Sequence, residues 1–171
     1  KSTEGLFKTD IVAQRITDIN HDVNLTVIND YLCDDKTSNL LKNKFDYIVD
    51  AIDTLSPKVY LIYEALKLNH KIVSSMGSGS RMNPEYIKVA DISKTYNCPF
   101  AYDIRKRLHK LGIFKGLKAV FSSETIMPDT RMLIENEKNK KSIVGTISYM
   151  PVIFGCYCAS VVINDILSVN N

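Results

Sequence analysis

The chain has 171 residues, 45% hydrophobic and 24% charged, with 22 Lys and Arg against 19 Asp and Glu and a net charge of +3. That is the composition of a globular protein long enough to bury a core, and its bulk charge does not announce a nucleic-acid binder. No two of Cys33, Cys98, Cys156 and Cys158 have the two-residue gap of metal and redox motifs, and His21, His70 and His109 stand apart. A thiol-reduced, cytoplasmic chain without a His-based metal centre is therefore expected.

Residues 8–20 place Ile11, Val12, Ile16 and Ile19 on one helical face, and Leu25-Thr-Val-Ile28 is a short β-branched run closed by Asn29-Asp30. Next comes a strand over residues 45–50, in which Tyr47, Ile48 and Val49 suit burial on both faces. Ser56 and Pro57 predict an N-cap and a first-turn proline for a helix over residues 57–69. A strand over 71–75 leads into the flexible turn Met76-Gly-Ser-Gly-Ser80, and residues 85–92 alternate well enough for a strand or hairpin arm. Residues 100–111 predict a helix stopped by Gly112, and 118–122 a further strand. The polar stretch 128–141, containing Glu135-Asn-Glu-Lys-Asn-Lys-Lys141, predicts an exposed loop. The apolar run 147–163 is shorter than the ~20 residues of a membrane span and predicts a buried helix, with Cys156 and Cys158 in the core.

This order of elements predicts an α/β protein with a Rossmann-like, doubly wound sheet. Such nucleotide-binding sheets open with a strand, a glycine-rich turn and a helix whose N-terminus holds phosphate, and residues 1–7 do not supply them. The expectation is a domain that lacks its first β-α-β elements, with an N-terminal portion lying upstream. No secretory signal, internal repeat or low-complexity segment is evident.

In open α/β sheets ligands bind beyond the carboxyl ends of the strands, so Asp50 and Asp53, at a strand-to-helix handover, are placed to meet a nucleotide-bound magnesium ion. The alternative is that they only cap the turn. Lys8, after Gly5-Leu-Phe, either points its ammonium at a phosphate or is solvated surface. Gly77 and Gly79 among serines either expose backbone donors to an anion or form a plain connection. From Ile104 to Ser123 there is no acid but there are several bases, Arg105, Arg107 and Lys110 among them. They either track a phosphate backbone or form a solvated face.

Gly5-Leu-Phe-Lys8, Ile48-Val-Asp-Ala-Ile-Asp53, Ser74-Ser-Met-Gly-Ser-Gly79, Val89-Ala-Asp-Ile-Ser-Lys-Thr95 and Val120-Phe-Ser-Ser-Glu124 occur in this order. Together they resemble the tRNA threonylcarbamoyladenosine dehydratases, a branch of the ubiquitin-activating-enzyme-like superfamily of adenylating enzymes. The resemblance covers essentially the whole chain and implies that 1–171 is the C-terminal major part of a single ThiF-like adenylating domain. It implies ATP and Mg2+ as cofactors, Lys8 on the ATP phosphates, and Asp53 as the catalytic, magnesium-holding acid, with Asp50 shaping the same turn. It implies adenylation of the threonyl carboxylate of the modified adenosine and then ring closure, with tRNA as substrate and a homodimer; from the length of the apolar run, no membrane partner is expected. A sulfur-transfer partner protein stays open, and Arg105, Arg107 and Lys110 are the candidate tRNA contacts. The family's glycine-rich ATP loop, ribose-binding acid and upstream arginines have no counterpart here. Some members carry a C-terminal cysteine that Ile147-Ser-Tyr-Met-Pro151 lacks, so no nucleophile is assigned. The rival readings are an activator of a ubiquitin-like sulfur-carrier protein and a degenerate, non-catalytic scaffold.

Overall fold

A computed structural model describes residues 3–125, 131–133 and 142–169, which divide into two units, one ending at Leu32 and one beginning at Cys33.

In the first unit, helix α1 spans Lys8–Ile19, as its apolar spacing predicts. Residues 25–28 have no regular secondary structure and belong to neither sheet among the described residues, contrary to the expected strand. A β-branched run becomes a strand only where a neighbour completes its hydrogen-bond ladder, and here the side chains of Leu25, Val27 and Ile28 are left exposed. The Asn29 amide donates to the Asp10 carboxylate at 2.8 Å and ties the end of this segment to the first turn of α1.

The second unit is built on a four-stranded sheet of order β1-β2-β4-β3, comprising β1 (Ile48–Asp50), β2 (Ile72–Ser75), β3 (Ile87–Asp91) and β4 (Lys118–Ser122). β1, β2 and β4 are parallel, and β3 runs antiparallel on β4. Period-2 alternation sends neighbouring residues to opposite faces. Ile72, Ala119 and Phe121 meet helices α3 (Leu55–Lys67) and α4 (Pro99–Lys110), while Val73, Val120 and Ile87 meet α5 (Tyr149–Val169). The sheet is thus covered on both faces, the expected doubly wound layering. A short helix α2 (Asp34–Leu41), unmarked by any strong periodicity, packs on α3 through buried Leu41 and a 2.8 Å bond between the Ser38 and Tyr60 hydroxyls.

Three local expectations are corrected. Thr54, not Ser56, is the N-cap of α3, and Pro57 is its third residue. The missing N–H of a proline is harmless anywhere among the first-turn groups that have no intrahelical partner. The stretch read as a loop contains strand β5 (Arg131–Leu133), antiparallel to β6 (Ser142–Val144); residues 128–130 and 134–141 lie outside the described residues. The apolar run is part of a 21-residue helix, long and apolar enough to cross a membrane, and only part of it is buried. Met150, Phe154, Cys158 and Val161 face the sheet, whereas Cys156 is exposed and is not a core residue. Asp165 fixes the helix by accepting hydrogen bonds from Tyr47 Oη at 2.7 Å and Lys118 Nζ at 2.5 Å.

Candidate active site

The carboxyl ends of the parallel strands bring Asp50, Ser75 and Ser122 to one edge of the sheet. Asp50 ends β1 opposite Ser74 of β2. The Ser74 hydroxyl donates to Asp50 Oδ2 at 2.6 Å, the Lys58 ammonium lies 2.7 Å from the same oxygen, and the Ile52 backbone N–H donates to Oδ1 at 3.0 Å. Both Asp50 and Lys58 side chains are fully buried. Burial pushes the Lys58 ammonium below its ordinary pKa, opposed by the neighbouring Asp50 carboxylate and, less strongly, by Asp53. Asp50 is therefore committed to fixing the turn. That turn carries Asp53 into solvent, three residues beyond the end of the strand.

Sequence reasoning misses Lys58. It is a cation set among Val59, Leu61 and Ile62, all buried, and its position five residues after Asp53 is the only signal in the sequence that marks it. A buried ammonium needs an acid, and the neighbouring turn offers Asp50.

The loop after β2 lies over the same edge. Its Met76 N–H donates to Val120 O at 2.8 Å and its Ser80 N–H to Gly145 O at 2.8 Å, so neither donor is directed at an anion. A Cβ on Gly77 would meet the Phe100 side chain at an ordinary 3.9 Å, so space does not demand glycine there. Glu124 Oε2, just past β4, accepts from the backbone N–H groups of Met82 at 2.9 Å and Asn83 at 3.2 Å, and the Tyr149 hydroxyl donates to Met82 O at 2.6 Å. Arg81 is buried and donates to Asn97 O at 2.8 Å. Burial lowers its guanidinium pKa, and the neighbouring Cys98 sulfur and Glu124 carboxylate oppose that.

Lys8 belongs to the first unit and is the exposed first residue of α1, beside N–H groups that the helix itself leaves without a partner. The three bases of the basic stretch are placed differently. One Arg105 guanidinium nitrogen, Nη1, donates to Ile92 O, Thr95 O and Thr95 Oγ1 at 2.5–3.1 Å, so Arg105 holds its own backbone together. Arg107 donates to Ser56 Oγ at 3.0 Å, and Lys110 is exposed.

The ThiF family profile matches residues 1–171. The tRNA threonylcarbamoyladenosine dehydratase of Bacillus subtilis is 32% identical over 173 residues, covering 97% of this chain and 68% of the relative. The Escherichia coli protein of the same name is 32% identical over 130 residues, covering 72% of this chain and 48% of that protein. The crystal structure of the E. coli tRNA N6-threonylcarbamoyladenosine dehydratase in complex with ATP superimposes with a TM-score of 0.85 at 26% identity, over 97% of this chain and 66% of that one. Its complex with AMP matches with a TM-score of 0.85 at 27% identity. The chain thus spans about half to two thirds of the length of these relatives.

Proposed function

The chain belongs to the ThiF family, and we propose that it forms the major part of an ATP-dependent tRNA threonylcarbamoyladenosine dehydratase. The observation that carries this reading is the Asp50–Lys58–Ser74 group at the carboxyl edge of β1 and β2, which fixes the turn bearing Asp53 in a chain whose fold matches an ATP-bound dehydratase. In the proposed reaction a threonyl carboxylate oxygen attacks the α-phosphorus of ATP and pyrophosphate leaves. A nucleophile within the modified base then closes on the activated carbonyl and AMP leaves, for a net loss of one water from the nucleoside. A carboxylate oxygen is a poor leaving group until it carries AMP.

Asp53 is the residue we assign to Mg2+. A single exposed carboxylate suits an ion that arrives with nucleotide phosphates and keeps most of its own waters. When bound, the ion offsets charge developing on the phosphates. Lys8 is assigned to the ATP phosphates. A homodimer, which we place in the cytoplasm, completes the proposal; the uncharged exposed face of α5 with Val152, Ile163, Ile166 and Leu167 supports the pairing.

The test is to incubate the full-length protein with ATP, Mg2+ and tRNA bearing threonylcarbamoyladenosine. AMP and pyrophosphate should appear, and digestion followed by mass spectrometry should show the nucleoside lighter by one water. An unchanged nucleoside with an activated carrier-protein tail in its place would favour the sulfur-carrier reading.

A further inference from the structure

Away from the carboxyl edge, the C-terminal end of α3 and the segment after α4 line an open groove of about 520 Å³, a volume within the range of small-molecule and base-sized sites. α3 contributes Tyr63, Leu66 and Lys67, and the segment between α4 and β4 contributes Ile113, Phe114 and Lys115. That segment is held at both ends. Gly112, at φ +80, closes α4: its N–H donates to His109 O at 3.1 Å and the Ile113 N–H to Leu108 O at 3.0 Å, the paired bonds of a Schellman stop. Gly116, at φ +101, donates its N–H to Asp91 Oδ2 at 2.6 Å. Between these anchors Phe114 is 61% exposed, its ring 5.0 Å from the His109 ring and tilted by 40°. A large aromatic held in water on a short, pinned loop is not there to fill a core.

The charged side chains that line the groove have one sign. No acid occurs from residue 104 to 123, Lys67 and Lys115 line the groove, and Lys67 Nζ lies 5.7 Å from the centre of the Tyr63 ring. Of the nearby acids, Asp91 is committed to Ser93 and Gly116, and Glu64 of α3 does not line the groove. Aromatic faces for bases beside cations for phosphates are the combination that holds single-stranded RNA.

We propose that this groove is an RNA-docking site, in which an unpaired tRNA base stacks on Phe114 while Lys67 and Lys115 contact the flanking phosphates. The proposal rests on the dehydratase reading for its choice of RNA. It relocates the tRNA contact from Arg105 and Arg107, each of which has its Nη1 engaged within the protein, to the loop that follows their helix.

The test measures binding of fluorescently labelled, unmodified tRNA to the full-length protein across a series of salt concentrations. Phe114→Ala should weaken binding about 5- to 100-fold with an unchanged salt slope, because stacking releases no counterions. Lys67→Gln with Lys115→Gln should flatten the slope by roughly 0.7 to 0.9 for each phosphate no longer neutralised. All three positions are exposed, and melting temperatures verify that the variants fold. Unchanged affinity and slope in both variants would overturn the proposal. So would displacement of the tRNA from the wild-type protein by polyglutamate as readily as by polyuridylate of equal charge, which points to an acidic protein partner. Wild-type protein that binds tRNA through these residues yet leaves threonylcarbamoyladenosine intact would refute the dehydratase reading and leave the groove standing.

Discussion

The ammonium of Lys58 lies 2.7 Å from Asp50 Oδ2 with both side chains fully removed from solvent, so neither charge is tolerable without the other. Lys58→Met should therefore cost about 3–5 kcal/mol, because it strands a buried carboxylate. Asp50→Asn combined with Lys58→Met should recover most of that loss. Urea unfolding of the two single variants and the double variant closes the cycle, and additive losses would mean that the two residues do not depend on each other.

This pair also marks where the sequence stops being legible. Asp50 is visible as a turn acid, but whether such an acid faces a ligand or its own turn depends on Lys58, Ser74 and Ile52, which converge only once β1 lies beside β2 and α3 packs beneath them. Elements with strong periodicity or clear stops are readable: α1, α4 with its Gly112 stop, and β4 lie within a residue or so of the expected limits. The segment 25–28 has strand composition without a strand, because composition does not supply a partner for the ladder. For α5, the apolar composition suggests full burial, yet one face is enough to bind the sheet and the other stays exposed.

Asp53→Asn should remove the magnesium-dependent step and keep the fold, since the change is nearly isosteric on an exposed turn. Loss of a charge acting on the transition state should lower the rate by on the order of 10²-fold. The readout is pyrophosphate release by the full-length protein, beside an unchanged circular dichroism melt. Wild-type turnover in the Asn variant would remove Asp53 from the reaction.

Lys8→Ala should raise the KM for ATP and leave stability within about 0.5 kcal/mol, the usual range for exposed positions. Stability should if anything rise slightly, because a cation in the first turn of α1 opposes the helix dipole. A lowered melting temperature with normal ATP kinetics would make Lys8 a structural residue.

Arg105→Ala should destabilise the protein by about 1–3 kcal/mol, because it removes the guanidinium donor from the Thr95 carbonyl, whereas Ile92 O keeps the Thr95 hydroxyl. It should not alter the salt slope of tRNA binding. A flattened slope at normal stability would restore Arg105 as an RNA-binding residue.

Asp91 links the end of β3 to the loop that presents Phe114, and its charge makes that link sensitive to acid. Burial alone would raise its carboxyl pKa, but hydrogen bonds from the Ser93 side chain and backbone and from Gly116, with the nearby charge of Lys94, outweigh it and hold the pKa below the ordinary value. For a carboxyl depressed in the folded state, the stabilisation is complete above the unfolded pKa of about 3.9 and is lost as pH falls through the lower folded value. Asp91→Asn should thus lower stability at pH 7 and flatten the decline below about pH 4, since the variant has no proton to take up at this position. Urea midpoints of wild type and variant, measured from pH 7 down into the acid range, should converge as the acid limb is descended. Parallel curves across that range would show that the Asp91 charge contributes nothing to the anchoring of Gly116.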